Sequence, residues 1–144
     1  MKTRLAVEEG DARKTLQDFL AKLLEKGIVD LLYVPMRTSS GTVTPAIVRD
    51  PALLSAVDPL APVMPVNGAT QVGKLSIREP RSKVGVVLRP CEIRALVELT
   101  KMKQASCADL ILISVDCAGT FEVPIYQKKI SIEGAVPDEL WQNL

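Results

Sequence analysis

The fold is decided by residues 83–121, KVGVVLRPCEIRALVELTKMKQASCADLILISVDCAGTF. Val84 to Leu88 is a short apolar run, typical of a buried strand, and the pattern after it predicts a helix from Cys91 to Gln104. Asp109 to Val115 is a second strand with the same continuous apolar character. A strand–helix–strand unit of this length is right-handed and has parallel strands. We therefore expect a single α/β domain over residues 1–144, with a mostly parallel or mixed sheet, a βαβ unit at 84–115 and flanking helices.

The segments before this unit supply a helix and two more strands. Leucines recur at helical spacing from Asp11 to Lys26, which predicts a helix with one face on the core. Ile28 to Met36 is a nearly continuous apolar run, which indicates a strand buried on both faces. Thr42 to Val48 reads as an antiparallel edge strand, because Pro45 cannot donate to a sheet ladder.

The segments between those strands and the βαβ unit have weaker patterns. Asp50 and Pro51 predict a short helix over 51–57. Prolines at every third residue of 59–66 indicate an extended, polyproline-like path on the protein body. Residues 68–77 are ambiguous, because Gly73 weakens a helix there, and 137–144 reads as a short final helix.

Composition excludes several classes of protein. Aromatic residues make up 3% of the 144 residues, too few for a base-stacking nucleic-acid module, and the net charge of +1 leaves no basic footprint. The chain has no histidine, which removes the usual general base and most catalytic zinc sites. Any chemistry must therefore rely on Cys, Asp, Glu, Lys, Arg or a bound cofactor.

The three cysteines bear on the cellular setting. An odd number of cysteines, with no signal peptide at the N-terminus, favours a reducing, cytoplasmic environment over a secreted one. The apolar runs are also far shorter than a membrane span.

A cysteine lies in the turn after each predicted parallel strand, Cys91 in the first and Cys117 in the second. Parallel strands end at one sheet edge, where ligands of open α/β sheets bind. If the two strands are neighbours or next-neighbours, strand spacing places the two thiols about 5–10 Å apart. Arg89 and Arg94 add positive charge beside Cys91, and a helix N-terminus there favours a thiolate or an anion. Such an edge suits a phosphate-bearing cofactor or an iron–sulfur ligand.

Other interpretations of these residues stay open. Free cysteines are more often buried apolar fillers, and on the residues alone we favour that interpretation roughly two to one. Cys107 lies before the second strand, at the opposite edge, and is interpreted as structural. Three thiolates cannot complete a four-cysteine cluster. The carboxylates Glu92, Glu98 and Asp116 are interpreted as partners of basic neighbours, as in helix-surface ion pairs, and not as general bases.

Two motifs carry a resemblance to a known family. RPCEIRALVELTKMKQ and ADLILISVDCAGTFEV, together with DPLAPVMPVNGA upstream, resemble the beta-subunit family of deazaflavin-coenzyme-reducing hydrogenases and formate dehydrogenases. The resemblance extends over residues 15–126 and is sharpest over 83–121. Family members carry ferredoxin-like runs of cysteines that this chain lacks. It therefore looks like a short or truncated member, whose clusters lie on another polypeptide.

The resemblance implies an electron-transfer subunit that binds FAD and contributes to a 4Fe–4S site. Its partners would be subunits of a hydrogenase, formate dehydrogenase or heterodisulfide-reductase-type complex, with no nucleic acid and no membrane span. Cys91 and Cys117 are the candidate metal ligands. The resemblance makes Arg89, Asn67 and Gly68 candidates for flavin contacts and places both cysteine turns at the cofactor site. Together with the neighbouring residues of those turns, the candidate cofactor-binding residues are Asn67, Gly68, Arg89, Pro90, Cys91, Glu92, Arg94, Asp116, Cys117, Gly119 and Thr120.

Two alternatives remain at this stage. One is a non-catalytic structural or interaction subunit of such a complex, with the cofactor site lost. The other is a stand-alone thiol redox sensor that uses Cys91, which requires a depressed thiol pKa.

Overall fold

The computed structural model describes residues 4–77 and 82–131. Four helices are found in these ranges: α1 (Ala12–Glu25), α2 (Gly68–Ile77), α3 (Pro90–Lys101) and α4 (Val123–Ser131). The strands are β1 (Leu31–Arg37), β2 (Val43–Val48), β3 (Val84–Leu88) and β4 (Leu110–Ser114). A 3-10 helix spans Pro51–Ala56. The final helix expected at 137–144 lies outside the described residues.

The strands form one mixed sheet in the order β2-β1-β3-β4. β2 is antiparallel to β1, whereas β1 pairs in parallel with β3 and β3 pairs in parallel with β4. β2 lies at an edge and carries Pro45, as the sequence predicts. The predicted α/β fold and its β3–α3–β4 unit are thus confirmed.

Helices cover both faces of the sheet and create two cores. One face of β1, carrying Leu32 and Val34, packs against α1 and the 3-10 helix. The other face, carrying Leu31 and Tyr33, packs with residues of α2 and α3. All four side chains are buried, which confirms that the apolar run of β1 is covered on both sides. A third, smaller cluster joins α4 to residues 59–66, the proline-containing segment, through Tyr126 and Val63.

Helix starts follow the capping signals in the sequence. Asp11 accepts the Lys14 N–H at 2.8 Å at the start of α1. Asp50 accepts the Ala52 N–H at 2.9 Å at the start of the 3-10 helix. Both acids satisfy an N–H that lacks an intrahelical partner. Among the helices of the described ranges, none has the length and apolar composition needed to cross a membrane.

Three segments differ from the sequence-based expectation. Residues 68–77 form α2, because the buried side chains of Ala69 and Val72 gain more from packing than Gly73 costs. Pro59 and Leu60 form a turn, so the extended path expected over 59–66 is interrupted, although it does lie on the body. The third difference is β4, which is a half-exposed edge strand despite its apolar sequence.

Candidate functional site

The register of β3 and β4 brings the two cysteine-containing turns to one edge of the sheet. The strands pair in parallel from Val84 with Leu110 to Leu88 with Ser114. The Val115 N–H donates to the Leu88 carbonyl at 3.2 Å, so pairing continues to the last residue of β3. The turns that follow therefore leave from the same carboxyl edge, as the sequence predicts.

The cysteine side chains at this edge are exposed. Cys91 is the second residue of α3, and the Cys117 sulfur lies 3.6 Å from the Gly119 carbonyl oxygen. The interpretation of these two cysteines as buried fillers is therefore wrong. Cys107 differs, since it precedes β4 at the opposite edge, is half-buried and lies 3.4 Å from the Thr100 hydroxyl. A purely structural role for Cys107 stays a prediction, and its half-buried position beside Thr100 supports it.

Glu92 is not a surface carboxylate. It is 7% exposed, and its two oxygens accept backbone N–H groups, from Gly68 at 2.7 Å and from Arg89 at 2.9 Å. The helix-surface ion pair expected from the sequence is therefore wrong for Glu92, although Glu98 does form one with Lys101 at 2.7 Å. Because Glu92 lies at the N-terminal ends of both α2 and α3, two helix dipoles stabilise its charge.

Asn67 and Gly68 start α2. The Asn67 side-chain oxygen accepts the Ala69 N–H at 2.9 Å. Gly68 packs so closely that an added Cβ would lie 2.7 Å from Leu88 Cδ2 and 2.9 Å from Glu92 Oε1. Both residues thus have a structural role in joining α2 to the end of β3, and flavin contacts by them stay a prediction.

Arg89 is buried beneath the proline-containing segment. The residue is 7% exposed, and its Nη2 donates to the carbonyls of Ala61 at 2.6 Å and Val63 at 2.9 Å. The Phe121 N–H donates to the Pro62 carbonyl at 2.8 Å, so the turn after β4 is fastened to the same segment. Nη1 of Arg89 has no hydrogen-bond partner among residues 4–77 and 82–131.

Tyr33 is a site residue that the sequence interpretation missed. It lies on β1, is 4% exposed, and its hydroxyl has no hydrogen-bond partner in the described part of the chain. Burial, and secondarily the negative charge of Glu92, raises the pKa of Tyr33 to about 12. Tyr33, Arg89 and Glu92 line one cavity of about 30 Å³. The available signal was a tyrosine in a buried apolar strand, because a buried hydroxyl needs a polar partner.

The remaining predicted site residues lie on the surface of this edge. Pro90 is the first residue of α3, and the exposed Arg94 donates from Nε to the Pro90 carbonyl at 3.4 Å. Asp116 and Thr120 are exposed, and Gly119 is half-buried with φ of +144°, a conformation that favours glycine. These residues are accessible to a ligand at the edge.

The thiols at this edge do not form a complete metal site with other side chains of residues 4–77 and 82–131. Among the residues that the structure describes, no group of three or more Cys, His, Asp or Glu side chains is placed to hold a metal ion. Cys91 and Cys117 would therefore contribute at most two thiolates to a cluster that needs four.

A second opening lies between β2 and α2. This open groove of about 780 Å³ is walled by the exposed apolar side chains of Ile47 and Ile77 and bordered by Gln71 and Lys74, and it reaches Tyr33. Apolar walls with a few polar groups are typical of cofactor sites, and a flavin ring has matching apolar faces and polar edges. The groove thus has the apolar walls and polar borders that are common at cofactor sites.

Comparison with known proteins shows a distant similarity to a formate dehydrogenase subunit. The chain is 28% identical over 117 residues to the F420-dependent formate dehydrogenase 1 subunit beta of Methanococcus maripaludis. The matched region is 79% of this chain and 29% of that protein, so the chain spans less than a third of its relative. No protein-family profile matches the sequence. The resemblance inferred from the motifs is thereby confirmed as a distant one.

Proposed function

We propose that this chain is an electron-transfer subunit of a formate-dehydrogenase-type redox complex, with its cofactor site at the carboxyl edge of the sheet. The observation that carries the proposal is the pair of exposed thiols that follow two adjacent parallel strands, Cys91 in the first turn of α3 and Cys117 after β4. The similarity to a formate dehydrogenase beta subunit supports the same class of function.

The proposal allows two kinds of cofactor, an iron–sulfur cluster at this edge and a flavin in the separate groove beside β2. Cys91 and Cys117 would supply part of the ligand set of a 4Fe–4S cluster, and a partner subunit would supply the rest. FAD would place its ring in the groove between Ile47 and α2, with Gln71 and Lys74 at its polar edge. Either group, when bound, accepts and releases electrons, while the protein positions it and excludes water. Three free cysteines support the predicted cytoplasmic setting.

Visible absorption spectra of the purified chain and of its native complex test the cofactor proposal. Flavin or iron–sulfur bands are expected in at least one preparation, and their absence from both would refute it. Cys91→Ser and Cys117→Ser should weaken iron–sulfur bands. Cys107→Ser is the matched control, because this half-buried thiol precedes β4 at the other edge.

A substitution in the groove tests the location of the flavin. Ile47→Glu places a charge on the groove wall and should reduce the flavin that acid denaturation releases from the complex. Ile111→Glu is the control, because Ile111 is also a partly exposed strand residue but lies at the opposite edge of the sheet. Equal flavin content in both variants would exclude the groove as the flavin site.

A non-catalytic interaction subunit is the second candidate. It is favoured by the internal hydrogen bonds of Arg89, Glu92 and Gly68, which join structural elements at the positions where cofactor contacts were predicted. In that case a Cys91→Ser/Cys117→Ser double variant would leave the activity of the complex intact, whereas the electron-transfer proposal expects a loss.

A further inference from the structure

We propose that the cavity between Tyr33, Arg89 and residues 64–66 is a binding site for a carboxylate group. The lining joins three buried polar side chains, those of Tyr33, Arg89 and Glu92, to an apolar wall that includes Val63, Pro65 and Leu88. The inference concerns a site separate from the exposed thiols and holds whether or not a redox cofactor is bound.

The first reason is the charge of Arg89. Its guanidinium is buried, and among residues 4–77 and 82–131 no carboxylate lies within ion-pair distance of it. Nη2 is engaged by two carbonyls, which are neutral, and Nη1 is left without a partner in the described chain. A buried cation is costly unless an anion accompanies it. The guanidinium therefore favours an anionic ligand in the cavity.

Glu92 does not supply that anion. Both of its oxygens accept backbone N–H groups, at the starts of α2 and α3. Those two helix N-termini offset part of the charge of Glu92, because each carries partial positive charge, and the remainder acts on Tyr33. The charge of Arg89 is left to the two carbonyl dipoles and to whatever enters the cavity.

Tyr33 supplies the second donor. Its hydroxyl lacks a partner in the part of the chain described. The ring packs against the start of α2, because a Cβ added to Gly68 would lie 3.3 Å from Tyr33 Cε1. The hydroxyl can donate at neutral pH, because a tyrosine is protonated far below its usual pKa of 10.0. One guanidinium N–H and one hydroxyl lining the same small space match the two oxygens of a carboxylate.

The size of the cavity selects the ligand further. Its volume of about 30 Å³ leaves room for roughly two or three non-hydrogen atoms, given that one water needs 10–15 Å³ on this measure. A carboxylate has three such atoms, whereas a phosphate has five. Apolar walls strengthen the interaction, because charged hydrogen bonds are stronger in a low dielectric.

Isothermal titration calorimetry with sodium formate and sodium acetate tests this site, using the purified full chain in a chloride-free buffer of constant ionic strength. Saturable binding is expected, and inorganic phosphate should bind at least tenfold more weakly. Binding of formate but not of acetate would indicate that the site takes a small free anion. Binding of both would indicate that it takes the carboxylate end of a larger ligand. Both results support carboxylate recognition.

Tyr33→Phe is the decisive variant, because it removes only a hydroxyl that has no partner in the described chain and keeps the packed ring. It should weaken formate binding roughly tenfold, the effect of one hydrogen bond to a charged group. Tyr126→Phe, at a buried tyrosine outside the cavity lining, should leave binding unchanged. The proposal is overturned if neither carboxylate gives saturable heat, or if Tyr33→Phe binds as tightly as the wild type.

Discussion

The carboxylate of Glu92 accepts the backbone N–H of Gly68 at 2.7 Å, so the first turn of α3 holds the first residue of α2. The same carboxylate accepts the N–H of Arg89, the residue that directly follows β3. One side chain thus joins three elements at the carboxyl edge, next to both the exposed thiols and the Tyr33 cavity. The geometry of either proposed site depends on it.

Glu92→Ala should destabilise the protein by about 2–4 kcal/mol, because two buried N–H groups would lose their acceptor. Glu92→Gln should cost less, since its one amide oxygen keeps one acceptor. Urea unfolding at neutral pH measures both. Glu98→Ala is the control on the same helix, and its exposed pair with Lys101 should contribute less than about 1 kcal/mol. Equal losses for Glu92→Ala and Glu98→Ala would contradict the structural role of Glu92.

Two glycines of α2 should respond to alanine with opposite signs. At Gly68 a new Cβ would meet Leu88 Cδ2 at 2.7 Å, so Gly68→Ala should cost about 1–3 kcal/mol through overpacking. At Gly73 the nearest atoms lie 3.5 Å away, an ordinary contact. Gly73→Ala should therefore stabilise the helix by up to about 1 kcal/mol.

Thermal unfolding of the two alanine variants separates these effects. A lower melting temperature is expected for Gly68→Ala and an unchanged or higher one for Gly73→Ala. If Gly68→Ala were as stable as Gly73→Ala, the close approach of α2 to Leu88 and Glu92 would be disproved.

The strand–helix–strand unit was predictable because its signals are local. Val84 to Leu88 is apolar throughout, Pro90 suits the first turn of a helix, and a parallel connection then has one handedness. Placing Cys91 and Cys117 at the same edge followed from that topology alone.

The roles of Glu92 and β4 were not predictable, because each depends on distant parts of the chain. The acceptor role of Glu92 requires Gly68, 24 residues earlier, to lie against it. Apolar side chains in β4 likewise do not reveal whether the sheet continues beyond that strand. Tyr33 was missed for a similar reason, since its cavity is completed by Arg89 from another strand end.

Tyr33 should make stability fall with pH in the alkaline range. Its pKa is 10.0 in an unfolded chain and about 12 in the fold. Between these values the unfolded chain releases the proton and the folded protein retains it, so ionisation favours unfolding. The protonated hydroxyl of Tyr33 thus contributes about 2–3 kcal/mol to the free energy of unfolding. This contribution is fully present below pH 10 and is lost by about pH 12.

The difference between wild type and Tyr33→Phe isolates this contribution, because other alkaline groups titrate in both proteins. Urea unfolding between pH 8 and 11 should show a steeper loss of stability in the wild type. Identical pH profiles would show that the hydroxyl of Tyr33 is not buried as described.

Threonine substitutions should distinguish the central strand from the edge strand. Val86 of β3 is fully buried, so Val86→Thr places a hydroxyl in the core and should cost about 1–3 kcal/mol. Ile111 of β4 is 36% exposed, and Ile111→Thr should cost less than about 1 kcal/mol. Both replacements remain β-branched, so strand propensity changes little. Urea unfolding at two protein concentrations provides the measurement. Suppose instead that the two substitutions cost similar amounts and that the stability of the wild type rises with protein concentration. That result would show that β4 is covered by a second copy of the chain.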